Sequence, residues 1–363
     1  MAVRDYFADT YVEARKKFLA AANAAGAMHE VHTLPDLRAP DGEPLTMDVA
    51  TLGPSNPDAV LLLISGTHGV EGFAGSGCQI GYLADQLYSA LPARTATILI
   101  HALNPYGFAW LRRVNEIGID LNRNFQDFSK ALPDSSAYEA LHDLLIPDDW
   151  EGPGRMAADA AMQEHIKALG MARFQAAVSG GQYSRPLGLF YGGTAESWSN
   201  TTLRRILKNH LAPTVRNLAI FDFHTGLGPT GYGEPIYTGT QDAGFERAKR
   251  WYGPELTSMT KGTSTSADVA GSVAGAFGDL SPAVAVTYVA LEYGTRPLLE
   301  VLTALRADHW LHAITNRQTP LRDQIKRQIR DAFYPDNPAW KAAVYGRAAD
   351  FVLRACRGLG SVS

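Results

Sequence analysis

The stretch AVLLLISGTHGVEG, residues 59–72, joins a short apolar run to a glycine-rich turn that contains a histidine and a glutamate. A continuous apolar run of this length is typical of a strand buried on both faces, as in a parallel sheet covered by helices. Three more runs of this kind lie at residues 96–102, 218–223 and 284–291. Helix-like segments separate the four runs, which predicts an α/β protein with a three-layer α/β/α fold around a mixed, mostly parallel, twisted sheet.

The rest of the chain predicts helices and one long insertion. Residues 1–25 predict an amphipathic helix, because Phe7, Tyr11 and Phe18 recur at helical spacing. Residues 126–200 contain several prolines and glycine pairs and are too long for an ordinary connection, which indicates an insertion that forms a lid or wall near the functional site. No linker divides the chain, so we expect a single domain over residues 1–363. Further helices are expected at about residues 73–91, 160–177, 198–212, 297–315, 318–332 and 338–356.

Composition excludes several classes of protein. The 363 residues carry 33 basic and 37 acidic side chains, a net charge of −4, which argues against nucleic acid as a partner. The cysteines, Cys78 and Cys356, are too few for a disulfide scaffold or a cysteine-rich zinc module. No apolar run reaches the roughly 18 residues of a membrane span, and the first residues lack the apolar core of a secretory signal. We therefore expect a cytoplasmic protein without a membrane partner.

Ionisable side chains follow three of the four predicted strands. His68 and Glu71 lie in the turn after the first run, His224 directly follows the third, and Glu292 directly follows the fourth. Ligands bind beyond the carboxyl ends of the strands in open α/β sheets, so we expect these side chains to meet. Two histidines and a glutamate form a ligand set of catalytic zinc, which keeps a further position for water. Glu292 would then be the free carboxylate that accepts a proton from that water.

Four more motifs follow in order along the chain. They are NPYGF at residues 104–108, DLNRNF at 120–125, DFHTG at 222–226 and LEYGT at 291–295. Together with the H-x-x-E pair, this series resembles the zinc carboxypeptidase superfamily, which includes the aspartoacylase and succinylglutamate desuccinylase branch. The stretches GTHGVEG, RRVNE and GGQYSRPLGLFYGG are most similar to a bacterial carboxypeptidase-like branch of unknown function.

The resemblance implies a catalytic role for each residue that matches a family motif, and it makes the single domain a catalytic one. His68, Glu71 and His224 would be the ligands of one zinc ion per chain. Glu292 would act first as the general base and then as the acid towards the leaving nitrogen. Arg113 would stabilise the oxyanion of the tetrahedral intermediate.

Further polar side chains are candidates for holding the substrate or a ligand. The resemblance also implies that Asn122 and Arg123 bind a carboxylate of the substrate, and the chemistry agrees, since a guanidinium matches a carboxylate with two parallel hydrogen bonds. Arg112, the neighbour of the oxyanion candidate, is a third candidate for substrate binding. Asp222 lies two residues before His224 on the same strand, so both side chains point to one face. It would either orient the histidine ring or be a buried acid with structural partners alone.

These roles imply a zinc-dependent, metallocarboxypeptidase-like hydrolase that cleaves an amide bond next to a free carboxylate of a small peptide. An N-acyl amino acid deacylase of the aspartoacylase type fits the same residues, and an inactive carboxypeptidase-like binding protein is the alternative outside catalysis. A serine hydrolase is disfavoured, because the chain has no G-x-S-x-G elbow. The preferred side chain, the oligomeric state and the metal used in the cell stay open. The tyrosine that covers the substrate also stays open among Tyr183, Tyr191, Tyr232, Tyr237 and Tyr252.

Overall fold

The computed structural model describes residues 2–239, 241–315 and 318–361 of the chain. The strands in these ranges are β1 (Met28–Arg38), β2 (Pro44–Leu52), β3 (Ala59–Ile64), β4 (Thr95–His101), β5 (Asn217–Thr230), β6 (Gly233–Tyr237), β7 (Thr257–Ser258) and β8 (Ala285–Gly294). The α-helices are α1 (Tyr11–Ala24), α2 (Gly72–Ala84), α3 (Pro105–Ala109), α4 (Ser136–Glu139), α5 (His142–Leu145), α6 (Pro153–Leu169), α7 (Met171–Ser179), α8 (Trp198–His210), α9 (Asp242–Tyr252), α10 (Leu298–Ala313), α11 (Arg322–Phe333) and α12 (Pro338–Gly360). None of the described helices combines the length and the apolar character needed to cross a membrane.

The strands form one mixed sheet in the order β1-β2-β4-β3-β5-β8-β6-β7. Strands β4, β3, β5 and β8 run parallel to one another in the centre. Strands β2 and β6 join this centre in antiparallel fashion, one on each side. The four apolar runs of the sequence are the four central strands, so the predicted mixed, mostly parallel sheet is confirmed.

Alternate residues of the central strands pack into two apolar cores on opposite faces of the sheet. Leu61 and Leu63 of β3 pack in one core with side chains of α2, α9 and α12. Leu62 and Ile64 pack in the other core with side chains of α8. Helices therefore cover both faces, and the predicted three-layer α/β/α architecture is confirmed.

The structure moves the boundaries of two predicted helices. The helix expected over residues 1–25 begins at Tyr11, because the side chain of Thr10 accepts a backbone hydrogen bond and caps the first turn there. The helix expected over residues 160–177 is two helices. Gly170, with a φ of 78°, ends α6 and lets the chain turn into α7.

The segment 126–200 forms helices rather than an open loop. It contains α4 to α7, and Phe174 of α7 belongs to a third apolar core together with Leu302 of α10 and residues of α11. A parallel bridge between Gln182 and Tyr191 closes the loop that follows α7. The segment is thus tied to α10 and α11, the helices that follow the last central strand.

Candidate metal centre

The turn after β3 positions the first two predicted ligands. Strand β3 ends at Ile64, and the chain passes through His68 and a 3-10 helix, Gly69–Glu71, into α2. A glycine is required at the start of this 3-10 helix, because a Cβ there would lie 2.0 Å from the backbone of Gly107. The close approach of two backbone segments therefore fixes the direction of the H-x-x-E turn.

The other two candidates lie on neighbouring strands. His224 of β5 and Glu292 of β8 are register partners, so their side chains lie on one face of the sheet. Strand β3 pairs with β4 on one side and with β5 on the other, which places a switch in strand order beside the H-x-x-E turn. Open α/β sheets bind ligands at such a switch, beyond the carboxyl ends of the strands.

His68, Glu71 and His224, called the metal cluster below, meet in a buried group. Glu71 Oε1 lies 2.9 Å from His68 Nδ1, and its Oε2 lies 3.2 Å from His224 Nδ1. The two Nδ1 atoms are 3.2 Å apart. Two nitrogens at ~2.0–2.1 Å from one tetrahedral zinc ion are about 3.3 Å apart, so the donor types and their spacing fit a shared zinc ion.

Each histidine of the metal cluster has a carboxylate at its other ring nitrogen. His224 Nε2 lies 3.0 Å from Asp222 Oδ2, and His68 Nε2 lies 3.1 Å from Asp120 Oδ1. Asp222 also accepts hydrogen bonds from the hydroxyls of Thr67 and Tyr288, which hold its carboxylate in place. Such carboxylates commonly orient the histidines that bind metals. Asp120 is missing from the sequence-based candidates, although it is the first residue of DLNRNF.

Burial and neighbouring charges shift the pKa values of Glu71, His224 and Glu292 away from their ordinary values. Burial alone would raise the pKa of Glu71, but the charge of His68 and hydrogen bonds from both histidines hold it below its usual range. Burial would lower the pKa of His224, but Asp222 and Glu71 hold it well above its ordinary value. Burial raises the pKa of Glu292 to about 8, and the charge of Glu71 adds to this shift.

A cavity of about 130 Å³ opens on the metal cluster. Its polar side contains the two histidines together with Glu292, Arg113 and Arg123. Among the described residues that line the cavity, Glu292 is the only carboxylate. Helices α7 and α10 supply an apolar wall, namely Phe174, Val178, Leu298, Leu299, Val301, Leu302 and Leu305.

Arg113 lies directly against the metal cluster. Its Nε donates to Asp120 Oδ2 at 2.9 Å, and its Nη1 donates to Glu71 Oε1 at 3.1 Å. Its Nη2 is 2.8 Å from His68 Nε2. The guanidinium predicted to stabilise an oxyanion is therefore fixed by two carboxylates at the mouth of the cluster.

Arg123 is buried without a carboxylate hydrogen-bond partner in the described part of the chain. Its guanidinium donates to the carbonyl of Ser179, at the end of α7, and to the carbonyl of Asn122. Burial lowers the pKa of Arg123 to about 10. Asn122 also lines the cavity, and its Oδ1 accepts a hydrogen bond from the amide of Val273 at 2.9 Å. Both predicted carboxylate-binding residues thus reach the cavity.

Arg112, the third candidate for substrate binding, lies outside the cavity. Its Nε donates to Asp308 Oδ2 at 2.9 Å, and the pair is buried. The side chain does not line the cavity within the described residues. Asp308 on α10 is the partner of this arginine, so the structure does not bring Arg112 to the cavity with the other predicted site residues.

The cavity contains a tyrosine that the sequence does not single out. Tyr288 of β8 lines it, and its hydroxyl donates to Asp222 at 2.8 Å. The described residues that line the cavity include none of the five candidates, Tyr183, Tyr191, Tyr232, Tyr237 and Tyr252. Tyr183 instead donates its hydroxyl to the carbonyl of Arg123 at 2.8 Å and supports that segment.

Several solved structures are similar to this chain. Carboxypeptidase A from Helicoverpa armigera is 11% identical over 94% of this chain and 73% of its own, with a TM-score of 0.43. A metallo-carboxypeptidase from Burkholderia cenocepacia is 14% identical over 96% and 69%, with a TM-score of 0.42. A protein from Shewanella frigidimarina, provisionally named a succinylglutamate desuccinylase/aspartoacylase, is 17% identical over 80% and 72%, with a TM-score of 0.39.

Sequence comparison gives a family without an assigned activity. No curated protein matches the chain at a significant level. The model of the family described as "Protein of unknown function (DUF2817)" matches residues 7–347. This agrees with the branch of unknown function that the sequence motifs resemble. Because the match spans nearly all of the sequence, the chain belongs to the DUF2817 family.

Proposed function

We propose that the chain is a zinc-dependent hydrolase that cleaves an amide bond next to a free carboxylate. The observation that carries this proposal is the meeting of two histidine nitrogens and a carboxylate within 4.8 Å at the edge of a cavity. A general-base candidate, Glu292, is the strand-register partner of one of the histidines. The two arginines on the polar side of the same cavity favour an anionic substrate.

His68, Glu71 and His224 would hold the zinc ion, and Asp120 and Asp222 would orient the two imidazole rings. A bound zinc ion would polarise the scissile carbonyl and acidify a water molecule. Binding requires neutral imidazoles, so the cluster must release a proton as the metal enters.

Glu292 is the residue that would accept the proton of the attacking water. Its Oε1 accepts a hydrogen bond from the amide of Leu227 at 3.0 Å, which leaves Oε2 as the atom that takes the proton. A cation in the metal cluster would favour the ionised form and lower the pKa of Glu292 from its value of about 8. The same carboxyl group would then deliver the proton to the leaving nitrogen.

The two arginines of the cavity would bind different parts of the substrate. Arg113 lies beside Glu71, so its guanidinium would face the oxygen on which negative charge develops. Arg123 uses three hydrogen bonds on backbone carbonyls and keeps further N–H groups for a carboxylate. A carboxylate would also compensate its buried charge.

The apolar wall indicates the remaining part of the substrate. Side chains of α7 and α10 line the cavity, and the described lining residues offer no second carboxylate that could bind a cationic group. A substrate with an apolar side chain or acyl group beside its carboxylate fits this wall. Both a small peptide with an apolar C-terminal residue and an apolar N-acyl amino acid meet this description.

The proposal is tested on the full chain loaded with zinc. Metal analysis should find about one zinc ion per chain. A series of peptides of increasing length and a series of N-acyl amino acids, each paired with its carboxyl amide, should then be screened for release of an amine. Cleavage of the free carboxylates but not of the amides is the expected result.

The same screen separates the alternatives. Cleavage of N-acyl amino acids alone would favour a deacylase, and cleavage of longer peptides would favour a carboxypeptidase. Zinc binding without cleavage of any compound would favour an inactive binding protein. A chain with no affinity for zinc would contradict the metal site itself.

A further inference from the structure

Phe190 has an unusual backbone conformation next to the candidate metal centre. Its φ is 55°, in the left-handed region that bulky side chains rarely adopt. Two glycines, Gly192 and Gly193, follow almost immediately, and Gly193 adopts a positive φ as glycines readily do. Backbone strain of this kind persists only where surrounding contacts maintain it. We therefore expect contacts of the Phe190 side chain to stabilise the strained conformation.

The loop around Phe190 is tied to the polar side of the cavity. The backbone carbonyl of Phe190 accepts a hydrogen bond from the amide of Gln182 at 3.2 Å. The amide of Gly192 donates to the carbonyl of Gln182 at 2.9 Å. The carbonyl of Tyr191 accepts from the amide of Asp120 at 2.8 Å. Asp120 is the carboxylate that contacts both His68 and Arg113, so the loop and the metal cluster share a support.

The ring of Phe190 contacts both arginines of the cavity. Its centroid lies 5.1 Å from Cζ of Arg113 and 5.6 Å from Cζ of Arg123, within the range of cation–π attraction. The side chain lines the cavity and is only 7% exposed. The two guanidiniums repel each other, and the ring offers negative π-electron density to both.

We propose that Phe190 is a positioning residue that holds Arg113 and Arg123 at the separation required to bind one substrate at its reacting carbonyl and at its carboxylate. The inference rests on the proposed function of these arginines. Phe190 touches neither reacting atom in this scheme. It acts through the two guanidiniums and shields them from water.

Two variants and a matched control test the role of the ring. Phe190→Leu keeps an apolar side chain but removes the π face, and Phe190→Tyr restores that face. Phe351→Leu is the control, because Phe351 is fully buried on α12 with two arginines at 4.5 and 4.9 Å from its ring and does not line the cavity. It removes the same kind of contact away from the site.

The kinetic readout separates positioning from folding. Phe190→Leu should raise KM for a carboxylate substrate about fivefold to tenfold, leave KM for its carboxyl amide unchanged, and lower kcat on both. Phe190→Tyr should restore wild-type values, and Phe351→Leu should leave KM and kcat unchanged. Equal kcat and KM for Phe190→Leu and the wild type would overturn the proposal, as would equal KM increases on the carboxylate and the amide.

A binding measurement keeps the test independent of turnover. The Kd of 3-phenylpropanoate, a small carboxylate with an apolar tail, can be measured by calorimetry on the zinc-loaded chain. Weaker binding to Phe190→Leu, with recovery in Phe190→Tyr, would support the positioning role even if no substrate is cleaved. If no substrate is cleaved but this difference in Kd remains, the proposed hydrolase function fails while the positioning role of Phe190 stands. Equal affinity of all three proteins for this probe would overturn the inference.

Discussion

Two buried charged clusters lie beside the neighbouring residues Arg112 and Arg113, but the two clusters differ in their surroundings. The metal cluster has Arg113 at its mouth and opens on the cavity. The second group, Arg112, Asp308 and Lys326, is called the closed cluster; there Asp308 accepts hydrogen bonds from both cations. None of its three described members lines the cavity.

The comparison shows that buried charge alone does not mark a functional site. In the closed cluster, burial lowers the pKa of Lys326 to about 8, yet the lysine and Arg112 share one carboxylate that compensates both. Beside the metal cluster, Asp120 and Asp222 contact the two histidines, and the hydrogen bonds that Arg123 makes to described residues all go to backbone carbonyls. What distinguishes the metal cluster is that it opens on the cavity, where its ligand atoms and the remaining N–H groups of Arg123 can bind a metal ion or a substrate.

The largest effect is expected from Glu71→Ala. It removes the carboxylate that lies between the two histidine nitrogens, so zinc should be lost together with all measurable turnover. Metal analysis after gel filtration provides the measurement. Glu255→Ala, which removes a carboxylate that binds Arg347 and Arg354 and does not line the cavity, should retain its zinc. Stoichiometric zinc in Glu71→Ala would show that the metal cluster is not the metal site.

Glu292→Gln should separate metal binding from catalysis. The amide keeps the shape of the side chain but cannot accept the proton, so we expect full zinc content and a fall in kcat of roughly 10²–10⁴-fold. Metal analysis and steady-state kinetics on one preparation would give both quantities. A variant with wild-type kcat would remove Glu292 from the mechanism.

Arg123→Ala should weaken binding of the carboxylate rather than the chemical step. A charged hydrogen-bonded pair contributes about 1.5–3 kcal/mol, which corresponds to a rise in KM of roughly 10–150-fold. The carboxyl amide of the same substrate is the control, and its kinetics should change little. Equal losses on the acid and the amide would mean that Arg123 supports the fold of the cavity rather than the substrate.

The centre of the fold could be predicted from the sequence, and its edges could not. The four central strands are continuous apolar runs because both faces of each are covered by helices. Strand β1 (Met28–Arg38) is largely exposed and mixes polar and apolar residues, and β7 has two residues, so neither leaves a clear pattern. Their pairing depends on neighbours distant in the chain.

Contacts between residues that are distant in the chain also limit how much of the candidate site could be predicted. The proximity of His68, Glu71, His224 and Glu292 could be predicted, because the ends of parallel strands meet at one edge of the sheet. Asp120 contacts a histidine 52 positions away, and the sequence carries no spacing rule for that contact.

Adjacent residues of one type cannot be told apart by pattern alone. Arg112 and Arg113 are identical side chains in succession, but their surroundings differ: Arg112 binds Asp308, whereas Arg113 binds Asp120 and Glu71. The role proposed for Phe190 rests on its positive φ, which the sequence does not reveal.

Asp308→Asn tests the closed cluster and should have the smallest effect on activity. It removes the charge that compensates Arg112 and Lys326, so the free energy of unfolding should fall by about 3 kcal/mol in urea titrations. Asp58→Asn is the control, because its pair with Arg94 is exposed to solvent and should contribute little to the free energy of unfolding. Zinc content and kcat should stay at wild-type values in both. A large loss of kcat in Asp308→Asn with unchanged stability would mean that the closed cluster acts on the reaction, and the distinction between the two clusters would fail.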